Sequence, residues 1–182
     1  MSIFDKLNHE PSQTAGAGPQ TFVFPALPES LPQMQKMEQA GLATPFETAA
    51  LTVCALCAYA AKKQNGLEML NWLRGPRPLN GQDLSFLEDR FRGGKHYVPF
   101  SYFAGAVPGN GYTPDRPYTL TIFSDAASTA EQGYCKLFIP CGGADRPRPI
   151  KLRQRGSDGK WFLWEQALLT GIRQPEQEDP WA

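Results

Sequence analysis

The longest apolar pattern in the chain covers residues 48–61, TAALTVCALCAYAA, with no charge and two threonines as its only breaks. Ahead of it, Thr44-Pro45-Phe46-Glu47 fits a capping box: a Thr hydroxyl for the N3 amide, Pro at N1 and Glu reaching back. Lys62 and Lys63 follow where the helix dipole favours cations, and Asn65-Gly66 supplies left-handed residues to stop the helix. A helix apolar on every side must be covered on every side, so the pattern predicts a central helix running through the core. Its apolar run of about 14 residues is shorter than the 18 or more that suggest a membrane span.

The pattern is weaker on the N-terminal side. Ile3, Phe4 and Leu7 mark one short amphipathic turn, and residues 9–20, HEPSQTAGAGPQ, read as a flexible tether. Residues 1–20 are therefore expected to be a flexible segment, with one domain over 21–182. Residues 21–24 form an extended apolar piece ended by Pro25, and Leu31, Met34 and Met37 then recur at helical spacing behind Pro28 and Pro32. Beyond the central helix, residues 67–73 (LEMLNWL) give a second amphipathic stretch stopped by Gly75-Pro76. A third helix is expected over 80–91, with Leu84, Leu87 and Phe91 three and four apart, ended by Gly93-Gly94.

Helical periodicity then disappears. Residues 95–116, KHYVPFSYFAGAVPGNGYTPDR, hold three prolines and five aromatics with no sustained period. So long a connection is usually functional or disordered, and the aromatics argue for an ordered loop, with a short strand over 97–103. Four strand-like runs follow at 118–123, 134–139, 150–155 and 160–165, the last two joined by Gly156-Ser157-Asp158-Gly159, a hairpin signal. Short connections favour an antiparallel meander with its apolar face on the central helix and Lys151, Arg153 and Arg155 on the other. Residues 166–169 read as a short helical stretch. The expected fold is α+β: a helical N-terminal half packed on a four-stranded, mostly antiparallel sheet.

Charge and cysteines narrow the function classes. With 18 basic and 18 acidic residues the net charge is zero, so nothing draws the whole molecule to nucleic acid or anionic membrane. MSIFDKLNHE has no basic region followed by an apolar run, so no secretory signal is visible, and reduced thiols in a cytoplasm are expected. Cys54 and Cys57 form a Cys-x2-Cys pair, with Cys135 and Cys141 further on. Zinc knuckles place such a pair on a turn, whereas this one falls inside the apolar helix, so core packing explains it better. No metal and no cofactor is expected.

Two further patterns bear on chemistry. His9 and His96 are the only histidines, no Gly-x-Ser-x-Gly elbow is present, and no glycine cluster leads from a strand into a helix. The best enzymatic site would gather His96, Tyr102, Tyr112, Asp115 and Arg116 from the long loop, with Asn110 as a further binding candidate. Residues 144–160 hold six Lys or Arg against two Asp, a local +4 that includes Arg146, Arg148, Lys151, Arg153 and Arg155. Trp161 and Trp164 stand nearby for stacking. Residues 165–182 hold four acids against one Arg, a local −3, and a tail folded over the sheet would neutralise that patch. Nucleic acid is therefore not the expected partner.

Several stretches together resemble one uncharacterised bacterial family, a domain of unknown function found largely in gut-associated anaerobes. They are Thr44-Pro45-Phe46 with the following Ala-Ala-Leu, Gly75-Pro76-Arg77-Pro78-Leu79, Tyr97-Val98-Pro99 with Ser101-Tyr102-Phe103, and Asn110, Tyr112-Thr113-Pro114 and Pro117-Tyr118. Further on they are Ile150-Lys151-Leu152-Arg153, Trp161-Phe162-Leu163-Trp164-Glu165 and Asp179-Pro180-Trp181-Ala182, so that the likeness spans roughly 42–182. It implies a family and no reaction. The readings rank as a non-catalytic binding or protein-interaction module first, with an unknown protein or small molecule as partner. An enzyme with its site in the 95–116 loop comes second, and binding of nucleic acid or an acidic partner through the basic stretch third.

Overall fold

The computed structural model describes residues 18–182, and the amphipathic turn and most of the tether lie outside the described residues. The architecture is α+β, built around the helix that the apolar run predicts. That helix, α2, spans Pro45–Ala61 and follows β1 (Gln20–Phe24) and the short α1 (Leu31–Gln35). Thr44 caps it, accepting the Glu47 amide at 3.2 Å, while the Glu47 carboxylate reaches back to the Ala43 amide at 3.1 Å. Every residue from Thr48 to Tyr59 is buried. The two threonines are satisfied inside the core: Thr48 donates to the Trp161 carbonyl at 2.7 Å and Thr52 to the Thr48 carbonyl at 2.8 Å.

The stop signal works differently from the expectation. The helix ends at Ala61 because Lys62 turns to an extended conformation (φ −152°), and α3 (Lys63–Arg74) starts at once. Gly66 lies inside α3 rather than beyond a helix end. A Cβ there would come within 2.3 Å of the Tyr59 Cα, so glycine is what lets the two helices touch backbone to backbone. The third expected helix is α4 (Gly81–Phe91), closed by a capping box between Asn80 and Asp83, both bonds at 2.9 Å.

Residues Lys95–Tyr102 form a 3₁₀ helix in place of the expected strand, packing Val98 and Tyr102 against α2 and ending at Phe103. The remaining strands are β2 (Tyr118–Ile122), β3 (Tyr134–Ile139), β4 (Arg148–Gln154) and β5 (Trp161–Gln166). They do not make one four-stranded sheet. The extended piece at residues 20–24 pairs antiparallel with β2 as one two-stranded sheet, and β3-β4-β5 form a three-stranded antiparallel sheet. Among the described residues, the isolated Phe123–Phe138 bridge alone joins them. In the register of that bridge Thr121 would face Pro140, which has no N–H to give the ladder. The 166–169 stretch is the end of β5 followed by a turn, not a helix.

The core lies between α2 and both sheets, with α3 covering the other side of the helix. Cys54, Cys57 and Cys135 are buried within it, and burial pushes the Cys54 thiol up to about 12, the Cys57 thiol well above its usual value and Cys135 to about 11. Among the described residues, no three or more His, Cys, Asp or Glu side chains are grouped to hold a metal ion. Among the described residues, no helix is long and apolar enough to cross a membrane.

Candidate functional site

The long loop is held by its own polar groups. Asn110 accepts from the Val107 and Thr113 amides, both at 3.1 Å, and donates to the Gly105 and Thr113 carbonyls at 2.7 and 3.2 Å. Tyr112 (φ 58°) stacks on Tyr97 at 5.2 Å and donates to the Arg173 carbonyl at 2.5 Å; burial pushes its hydroxyl to about 12. Tyr102 is buried, donates to the Leu168 carbonyl and is pushed up in pKa mainly by that burial. Three of the candidate side chains are thus engaged with backbone: Asn110 within the loop, and Tyr102 and Tyr112 between loop and tail. His96 is exposed with its ring 6.3 Å from that of Phe91, Asp115 packs against Gly105, and Arg116 lies 4.3 Å over the Tyr118 ring.

The basic stretch divides in two, because side chains alternate along β4. Arg148 shares a face with buried Ile150 and Leu152 and donates to the Gly171 carbonyl at 2.8 Å, while Arg146 is exposed before the strand begins. Lys151 and Arg153 occupy the outer face. Lys151 is paired with Glu131 at 2.7 Å. Arg155 grips Asp158 through two bonds, holding that carboxyl down at about 2. The acidic tail does not cover this face, contrary to the expectation: Glu176–Glu178 packs against the Pro108–Asn110 turn, where Gly109 approaches Glu176.

A cleft of about 390 Å³ opens on the outer face beside β5. Residues 74–77, following α3, form one wall, and β4 with β5 forms the other. Gly75 allows the approach: its φ is 59°, and a Cβ there would meet the Phe162 ring at 2.5 Å. Arg77 can then lie 3.7 Å over the Trp164 ring and donate to the Trp164 carbonyl, while Arg153 lies 4.7 Å over the same ring. Arg74, only 8% exposed, is bonded to the Arg77 carbonyl at 2.9 Å and to Asp83 at 3.3 Å.

Ion pairing decides which of these arginines is available. Asp83 answers Arg74 and Asp158 answers Arg155, whereas among the described residues no carboxylate lies within salt-bridge range of Arg77 or Arg153. Both guanidinium carbons sit over one ring, at 3.7 and 4.7 Å from its centre, so at most about 8 Å separates them. Two like charges about 8 Å apart repel by about 0.5 kcal/mol in water and about 2 kcal/mol at the effective dielectric of a protein surface. An anion within reach of both offsets that repulsion. A neighbouring cleft of about 500 Å³ offers no such bias, since Lys136 and Lys151 share it with Glu131 and Glu165.

Residues 26–176 match the family described as Domain of unknown function (DUF6935). The chain belongs to that family. No curated protein and no solved structure matches it. The DUF6935 match starts earlier than the likeness read from the sequence and stops before the terminal Asp179-Pro180-Trp181-Ala182. Three of the stretches that carried that likeness, at 75–79, 150–153 and 161–165, contribute Arg77, Arg153 and Trp164 to the same cleft. Of the cleft's unpaired cations in this DUF6935 domain, Arg153 stood among the candidate residues and Arg77 did not. Its one sequence signal is a cation held between two prolines in Gly75-Pro76-Arg77-Pro78, where the prolines stiffen the backbone beyond the helix stop.

Proposed function

We propose that this chain is a non-catalytic binding module of a bacterial cytoplasmic protein, and that it binds an acidic ligand through the outer face of the β3-β4-β5 sheet. The observation that carries this reading is the pair of arginines, Arg77 and Arg153, stacked on Trp164 without a carboxylate partner. Free thiols fit a reducing compartment, and the use of Tyr102, Asn110 and Tyr112 in backbone bonds favours binding over catalysis in the long loop. Nucleic acid is disfavoured as the ligand because guanidinium groups already cover the Trp164 ring that a base would stack on. The test is binding of poly-L-glutamate at low salt. Affinity is expected to fall as salt rises, and by about tenfold or more in an Arg77→Ala/Arg153→Ala double variant, while Arg92→Ala/Lys95→Ala binds normally. Undiminished binding by the first double variant overturns the reading.

A further inference from the structure

Resting on that reading, we infer that the Arg77–Arg153 cleft takes a small ligand: an oxyanion headgroup, phosphate or carboxylate, carried on a flat apolar body. The volume, about 390 Å³, lies within the range of metabolite pockets, about 300–1,000 Å³. The lining is of two kinds. Exposed Pro76 and the outer edges of the largely buried Phe162 and Leu163 supply apolar surface, Trp164 carries two guanidinium groups, and the four arginines supply charge.

Two of those four are neutralised, Arg74 by Asp83 and Arg155 by Asp158, which leaves one cationic locus rather than a uniformly basic wall. At that locus the guanidinium carbons lie 3.7 and 4.7 Å from the centre of the Trp164 ring, and N–H groups of each fork are left to face a planar or tetrahedral oxyanion. Arg77 gives one Nη2–H to the Trp164 carbonyl and retains the rest of its fork. The fork is preorganised at both ends: Arg74 holds the Arg77 carbonyl, and Trp164 holds the Arg77 side chain. The headgroup therefore meets donors that are already ordered, and the body of the ligand covers the Phe162 and Pro76 surface beside them. A long polyanion would use the charge and leave that apolar surface unused.

Isothermal titration of the full chain with inorganic phosphate, phenyl phosphate, benzoate and an oligothymidylate separates these cases. Phenyl phosphate or benzoate is expected to bind at least about tenfold more tightly than inorganic phosphate, because only they carry a ring to bury. Which of the two binds better identifies the headgroup. Arg77→Lys keeps the charge and loses the fork, and is expected to weaken the preferred ligand by about tenfold at an unchanged melting temperature. Equal affinity for phosphate and phenyl phosphate, with benzoate no better, overturns the apolar body while leaving the acidic-ligand surface in place. Oligothymidylate binding that strengthens with length and exceeds phenyl phosphate overturns the small-ligand inference in favour of a strand. Ring-bearing ligands that bind Arg77→Lys and Arg153→Ala as well as the native chain show that neither guanidinium holds the headgroup. That result sinks the inference, whereas poly-L-glutamate binding is judged separately.

Discussion

At the scale of single residues, Gly66 shows how one position can invert a local rule. Within a helix, alanine is preferred to glycine by about 1 kcal/mol. Here the added methyl would sit 2.3 Å from the Tyr59 Cα and 2.4 Å from its amide nitrogen, backbone atoms that cannot rotate away. Overpacking a tight core typically costs about 1–3 kcal/mol, so the clash outweighs the propensity gain. Gly66→Ala is expected to lower the denaturant midpoint, with Gly81→Ala, where nothing lies within 4 Å, as the control. A midpoint raised by Gly66→Ala would show that α2 and α3 do not meet so closely. Sequence alone reads Asn65-Gly66 as a helix end, because a glycine that permits close approach and one that permits a left-handed turn look the same.

At the scale of elements, the C-terminal segment separates into a bound part and a free part. Arg173 donates its amide to the Gly143 carbonyl at 2.9 Å and offers its carbonyl to Tyr112, Ile172 lies against Gly143, and Pro175 is buried. Trp181, by contrast, is 93% exposed, so the terminal indole does not anchor this segment. Deleting residues 179–182 is expected to leave the denaturation midpoint and loop proteolysis unchanged. Deleting from residue 172 onward should lower stability by at least about 2 kcal/mol, through lost burial and unmet hydrogen bonds, and open the 95–116 loop to protease. Equal behaviour of the two truncations would refute this division. The start of α2 with its cap, the 80–91 helix and the β4-β5 hairpin were legible because periodicity and caps act within a few residues. The 3₁₀ path of residues 95–102, the splitting of the sheet and the placing of Arg77 over Trp164 were not. The first rests on packing against α2, the second on the register of the Phe123–Phe138 bridge and the third on Trp164, contacts between segments distant in sequence that no local pattern records.

At the scale of the whole molecule, the question is whether the helical half and the sheet half stand or fall together. We propose that residues 21–182 act as one domain, because α2 is covered by α3 on one side and by β2, β3, β4 and β5 on the other. Neither half can bury Leu51, Val53 or Leu56 without the other, and those side chains are fully or almost fully hidden. The thiols report on this from both sides. Cys54 lies on α2 and Cys135 on β3; both are buried, and burial holds both thiols well above neutral pH, which keeps them protonated and slow to react. Cys141 is half-buried and serves as an internal reference. In native buffer near pH 8, a thiol reagent should modify Cys141 far faster than Cys54, Cys57 or Cys135. Across a denaturant series, mass spectrometry of the labelled peptides should then show Cys54 and Cys135 becoming reactive over one range, coincident with loss of near-ultraviolet circular dichroism. Labelling of Cys135 at a distinctly lower denaturant concentration than Cys54 would mean that the sheet opens while the helices persist. The domain would then be two folding units sharing a surface rather than one unit built around α2.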